Sequence, residues 1–314
     1  MFRKFIYVYL IVLLAGCRAA AQTGATTPSA VTATPQPAAS ATSVPAGTST
    51  PLPSTQPPPP TASPAAQTQA QASSCTGPRV RRDELVHSAT MNEEIPVRLY
   101  LPPCDPPAGK GWPVIYLLHG AGWTERHWDD VLIDEAAEAG RINGTLPPLI
   151  LVFPRRIDDS QQPGPEGDLP FEHFVVSELI PWVDSHTSAQ ADRDHRAIGG
   201  ISRGGFWALE IAFHHPELFD SVGGHSPVVG SPSDALSPMG LLTNHAADLA
   251  QLRIWLDVGD KDSLGPGMAK LADSLKAADI PVTFHQWPGG HVEPYWAAHT
   301  SDYLAFYSAP WADN

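Results

Sequence analysis

Ser202 lies in Gly200-Ile201-Ser202-Arg203-Gly204, directly after the apolar run "RAIGGI" and directly before "GGFWALEIAFHH". A strand that runs into a helix at a serine lifts the hydroxyl out of the sheet, and the glycines on either side let the neighbouring backbones pass close together. The helix N-terminus behind the turn favours negative charge on a bound oxygen. The chemistry this allows is nucleophilic attack. A serine hydroxyl is a weak nucleophile until a base takes its proton, so the turn demands a histidine and an acid that orients it.

Thirteen histidines offer too wide a choice by type, so position has to select. His291 lies in the glycine-flanked loop "PGGHVEP" after the last apolar run, and Asp260 and Asp262 lie in "VGDKDSL" after the run before it. Asp257 falls within the strand pattern. Asp262, third after Gly259, is preferred to Asp260 as the acid, and the order serine, aspartate, histidine is that of α/β-hydrolases. An oxyanion needs donors as well. The turn in "LLHGAG" can offer the amide of Ala121 beside the amide of Arg203, and each such donor is worth about 100- to 1,000-fold in rate. His119 is read as a hydrogen-bonding support for that turn and not as a base.

The elements that must hold these residues alternate along the chain. "WPVIYLLHG", "PPLILVFP", "HRAIGGIS", "FDSVGGHSP", "LRIWLDVGD" and "PVTFHQWPGG" read as strands, with helices predicted over Thr124–Ala139, Glu172–His186, Gly204–His215 and Pro266–Ala278. This alternation predicts an α/β fold with a mostly parallel central sheet and helices on both faces, and a ligand site beyond the carboxyl ends of the strands. Pro154–Pro170 and Ser226–Ala247 read as irregular loops that shape the substrate site. Cys75 and Cys104 flank a hairpin turning at Met91-Asn92, and a disulfide closing it is the expectation for an exported chain.

The first quarter of the 314 residues differs in composition. Arg3 and Lys4 precede the apolar run Phe5–Leu14 and Leu14-Ala15-Gly16-Cys17, too short for a spanning helix. Residues 1–17 read as a lipoprotein signal peptide with Cys17 as the lipidated residue. Residues 18–74 are rich in Pro, Thr, Ser, Ala and Gln and contain no acidic residue, the composition of a disordered tether. Residues 75–314 form the remaining domain. Without Arg3, Lys4 and Arg18 it holds 16 basic against all 33 acidic residues, a formal balance of −17, which disfavours nucleic acid and anionic lipid surfaces as partners. The membrane is then met through the lipid anchor alone, at the cell envelope.

His291 and His299 are eight apart, a spacing that matches no helix-face zinc pair, so neither metal nor cofactor is expected. His214-His215-Pro216 reads as an ordinary helix end before a breaker. Trp123, His127, Trp128 and Trp207 fall near the catalytic end, and Trp123, Trp128 and Trp207 are candidate substrate contacts. Arg155 and Arg156 read as a solvated pair.

"VRLYLPP", "WPVIYLLHGAGWTERHW", "LILVFP", "FVVSELIPWVDSH", "RAIGGISRGGFWALEIAFHHPELF", "WLDVGDKD" and "GGHVEPYW" together resemble the putative-esterase family of α/β-hydrolases. That family includes enterochelin-type, feruloyl and acetyl-xylan esterases, S-formylglutathione hydrolases and antigen 85 mycolyltransferases. The resemblance spans Arg79–Tyr307 and implies Ser202 as nucleophile, Asp262 as acid and His291 as base. The chain departs from the family at Arg203, where many members carry Met, and at Val292-Glu293, where Asp-Trp is commoner. The implied activity is hydrolysis of a small-molecule or saccharide ester. Acyl transfer to a sugar or lipid hydroxyl, and a surface binding protein on a hydrolase scaffold, are the competing readings.

Overall fold

The computed structural model describes residues 75–155 and 169–312. Cys17, the stretch 18–74 and Arg156 lie outside the described residues, as does most of the predicted loop Pro154–Pro170. Among the described residues no helix is long and apolar enough to cross a membrane.

An eight-stranded sheet in the order β1-β2-β4-β3-β5-β6-β7-β8 forms the middle layer. Its strands are β1 (Val80–Ser88), β2 (Glu93–Leu101), β3 (Val114–Leu118), β4 (Ile150–Pro154), β5 (Arg196–Ile201), β6 (Ser221–His225), β7 (Arg253–Gly259) and β8 (Val282–Trp287). β1 and β2 pair antiparallel, β2 meets β4 antiparallel, and the other neighbours are parallel. Strands β3 to β6 are buried along their whole length. Helices cover both faces there, so β3 and β4 read as unbroken apolar runs instead of alternating ones. The exposed edge strand β1 carries Arg81, Arg82, Asp83 and Glu84, which discourage pairing with another chain. A disulfide joins Cys75, ahead of β1, to Cys104, after β2.

The helices are α1 (His127–Asp130), α2 (Ile133–Asn143), α3 (Pro170–His173), α4 (Ile180–His186), α5 (Arg203–His214), α6 (Pro238–Leu249), α7 (Gly265–Ala277) and α8 (Glu293–Ser308). A π-helical stretch, Phe174–Leu179, links α3 to α4. It adjoins Pro181, which has no N–H to give to an ordinary helical bond. Phe171, Phe174, Trp207, Leu209, Leu241, Leu242 and Leu271 pack one face of the sheet. Trp128, Ile133, Tyr295, Trp296, Tyr303 and Tyr307 pack the other.

Two expectations are corrected. Thr124–Ala139 is no continuous helix, because Leu132 takes a left-handed conformation (φ 66°) between α1 and α2. Ser226–Ala247 is not all loop. Ser237 caps α6 by accepting the Gly240 amide at 3.1 Å, Pro238 opens the helix, and Met239, Leu241, Leu242 and Leu249 enter the core. α8 is a further helix that the sequence did not announce.

Helix α8 is seated by a polar cluster beneath the sheet's carboxyl edge. His225 and Asp257, paired in register across β6 and β7, have no exposed surface. Asp257 Oδ1 lies 2.7 Å from His225 Nδ1 and 2.9 Å from the Trp255 indole N–H. Its Oδ2 accepts from the hydroxyls of Tyr295 at 2.9 Å and Tyr303 at 3.0 Å. Four donors thus surround a carboxylate whose burial would otherwise be prohibitive. Tyr307 closes the cluster, its hydroxyl 3.0 Å from His225 Nε2. Gly199 and Gly223 make room for it. A methyl at either would lie 1.8 or 1.9 Å from the Tyr307 oxygen.

The expected consequence is that Tyr307→Phe, which strips a buried imidazole nitrogen of its donor, lowers stability by about 1–3 kcal/mol in urea denaturation. A loss below about 0.3 kcal/mol would contradict this account of the cluster.

Candidate active site

Ser202 leaves β5 with φ 55° and ψ −114°, a conformation rarely held by a residue bearing a Cβ. Its amide donates to His225 O at 2.8 Å, and its own carbonyl accepts the first helical bond of α5, from Phe206 N at 3.1 Å. The turn is tight enough that a Cβ on Gly200 would fall 2.2 Å from the backbone of Gly204. A Cβ on Gly204 would fall 2.2 Å from Leu118 O and 2.6 Å from His119 O. The first turn of α5 therefore lies directly on the end of β3.

The parallel register brings the other residues to the same edge. Leu118 pairs with Gly200, Ile201 with His225 and His225 with Asp257, so the loops after β3, β5 and β7 emerge side by side. His291 Nε2 stands 2.8 Å from Ser202 Oγ, and His291 Nδ1 stands 2.8 Å from Asp262 Oδ2. The Asp262 side chain is fully buried whereas the imidazole is 36% exposed. The second oxygen of Asp262 accepts from Leu264 N at 2.9 Å, which fixes the carboxylate. Asp260, the alternative acid, faces elsewhere. It is exposed, and its Oδ1 accepts from Gly289 N at 2.9 Å, bracing the histidine loop from below. Lys261 N to Gly289 O, at 2.8 Å, ties the two loops again. With the serine hydroxyl donating to Nε2 and Nδ1–H donating to the carboxylate, the geometry can pass a proton from Oγ to imidazole.

Ala121 occupies a turn closed by Trp123 N to Gly120 O at 3.3 Å, with Gly122 at φ 79°. His119 Nδ1 donates to Gly120 O at 2.8 Å. The sequence did not reveal a second support. His127, 1% exposed, accepts the Gly120 amide on Nδ1 at 3.1 Å and stacks under Trp123 with ring centres 4.4 Å apart. Trp296 completes the wall, edge-on to His127 at 6.0 Å and to His291 at 5.0 Å. The only signal for Trp296 was its place five residues after His291.

The tryptophans divide. Trp123 is 40% exposed at the mouth of the site. Trp128 and Trp207 are buried and offer no surface to a substrate, contrary to expectation. Trp128 donates its indole N–H to Leu118 O at 3.0 Å, holding the end of β3. Trp207 packs edge-on to Phe171 at 5.4 Å, because its phase on α5 turns it toward α3 and the core. Arg203 reaches over the Phe206 ring, 5.5 Å from its centre. Arg155 is exposed. His299 stacks on Trp287 at 3.9 Å and is not joined to His291.

The family model described as "Putative esterase" matches residues 88–307. An esterase of Mycobacterium tuberculosis is 26% identical over 244 residues, covering 62% of this chain and 52% of its own. The chain thus spans about half the length of that relative. An endo-1,4-beta-xylanase/feruloyl esterase of Xylanibacter ruminicola is 29% identical over 175 residues, covering 53% of this chain and 22% of its own. A solved ferulic acid esterase superposes with a TM-score of 0.64 at 24% identity, covering 74% of this chain and 98% of its own, which shows the α/β-hydrolase fold.

Burial, with a smaller contribution from His119, pushes the His127 imidazole down to about 4. The unfolded chain takes up this proton near the ordinary value of 6.5, before the folded one does, so stability is lost as pH falls from about 6.5 toward 4. In His127→Leu that part of the slope is expected to vanish in denaturation curves taken across the interval. Parallel curves for the two proteins would contradict the assignment.

Proposed function

The chain belongs to the Putative esterase family, and we propose that it is a serine esterase that hydrolyses carboxylic esters through an acyl-enzyme on Ser202. The observation that carries this reading is the relay from Asp262 through His291 to Ser202, with both contacts at 2.8 Å and the serine held at φ 55°. His291 Nε2 takes the hydroxyl proton as Oγ attacks the ester carbonyl. Asp262 keeps the imidazole in the tautomer that presents a lone pair to Oγ and stabilises the imidazolium that follows. The amides of Ala121 and Arg203 receive the oxyanion. His291 then returns the proton to the departing alcohol, and later activates the water that releases the acid.

For the substrate we take aromatic acyl esters, of the hydroxycinnamate class. The feruloyl esterase names among the relatives support this, as does the exposed Trp123 beside the turn of Ala121, whose face suits an aromatic ring. The domain boundaries belong to the same proposal: a lipobox at Cys17, a tether over residues 18–74 and an esterase domain over residues 75–314, carried at the cell envelope.

Kinetics on 4-nitrophenyl acetate and methyl ferulate test the roles. Ser202→Ala is expected to lower kcat/KM by about 10⁴-fold or more. Asp262→Asn is expected to cost about 10²–10⁴-fold, and Asp260→Asn less than about 10-fold. Full activity in Ser202→Ala, or a larger loss at Asp260 than at Asp262, would refute the assignment. Trp123→Ala is expected to raise KM for methyl ferulate more than for the acetate.

A further inference from the structure

At the far end of α5 from Ser202, three metal-binding side chains converge. Glu172, in α3, has no exposed surface, and its two oxygens have separate duties. Oε2 accepts from Leu169 N at 3.0 Å, which fixes the carboxylate at the start of its helix. Oε1 lies 2.5 Å from His214 Nδ1 and 3.0 Å from His215 Nε2. One ligand atom from each of the three residues falls within 4.8 Å of the other two.

Two consecutive helical residues point about 100° apart, so neighbouring histidines do not ordinarily meet at one point. Here they do, because His214 ends α5 and His215 leaves the helix at φ −123°, ψ 59°, ahead of Pro216. The imidazoles are 27% and 19% exposed, which leaves an ion a path from solvent. His215 turns its other nitrogen, Nδ1, toward Glu217 Oε1 at 3.5 Å, the arrangement in which a carboxylate orients a metal-bound imidazole. His245 stands nearby, its ring centre 6.4 Å from that of His214.

We propose that Glu172, His214 and His215 form a binding site for a zinc-type divalent cation that clamps the start of α3 to the end of α5. Two imidazole nitrogens and one carboxylate oxygen are the borderline N/O donor set that selects zinc over magnesium or calcium. His214 lies twelve residues along α5 from Ser202, about 18 Å at the helical rise. The ion therefore acts on stability and not on the ester bond, and the site stands independently of the esterase reading.

The test is zinc titration of the tag-free full chain after chelator treatment, read by isothermal calorimetry and by thermal unfolding. One zinc per chain is expected, with a micromolar or tighter Kd and a rise in Tm as zinc is added. His214→Ala and His215→Ala, each checked for folding by circular dichroism, are expected to weaken binding about 30-fold or more. His291→Ala is expected to bind as the parent does. Cobalt(II) in place of zinc should give visible ligand-field absorption that the His214→Ala protein lacks. No saturable binding below about 100 μM would overturn the proposal. So would binding that survives in both variants, or binding that His291→Ala abolishes.

Discussion

Everything at the sheet's carboxyl edge depends on how closely two pieces of backbone approach beside Ser202. The first turn of α5 rests on the ends of β3 and β5 with no space for a Cβ at Gly200 or Gly204. Only that contact allows a chain leaving a strand to enter a helix within one residue, and it forces that residue into a positive φ. The strain has a use. It sets the hydroxyl apart from the sheet, places the start of α5 against Leu118 and His119 and brings Oγ within reach of a histidine loop three strands away.

Local strain of this kind persists only where the surroundings over-determine the geometry. The buried cluster around Asp257 supplies much of that. Ser202 N is held by His225 O, Ser226 N by Asp257 O, and the side chains of the same two residues bond to each other. The tyrosines of α8 then fill the remaining lone pairs of Asp257 and the far nitrogen of His225. Burial and the charge of Asp257 push the phenols of Tyr295, Tyr303 and Tyr307 well above their ordinary range, so they stay protonated and remain donors. The C-terminal helix is thus more than packing. It satisfies the floor on which the serine turn stands, and its first turns bring Trp296 against His291.

Much of this was legible in the sequence because parallel strands write their ends plainly. Most of the apolar runs close on Gly or Pro, and Ser202, Asp262, His291 and Ala121 all fall just beyond the end of one, so a parallel sheet collects them on one edge. The preference for Asp262 over Asp260 rests on the spacing after Gly259; in the structure Asp262 lies against His291 Nδ1, and Asp260 accepts from the Gly289 amide. What the sequence hid was helical phase and polar partnership. Trp128 and Trp207 stand near strand ends in the chain, yet their rotation about α1 and α5 turns them inward. The Pro- and Ser-rich start of α6 looked like loop because its cap and first helical proline have loop composition. The meetings of Asp257 with His225 and with Tyr295 and Tyr303 of α8, and of Glu172 with His214 and His215, join residues more than 30 positions apart, which no local pattern records.

The central claim is that Ser202 is an activated nucleophile. Reacting the purified, folded chain with a fluorophosphonate and locating the adduct by peptide mass spectrometry tests it most directly, since such reagents label a serine only where a base and an oxyanion site already work on it. The expected result is one adduct per chain, on the peptide carrying Ser202, formed far more slowly when His291 is replaced by alanine. Folded protein that remains unlabelled at Ser202, or is labelled equally well without His291, would contradict the account.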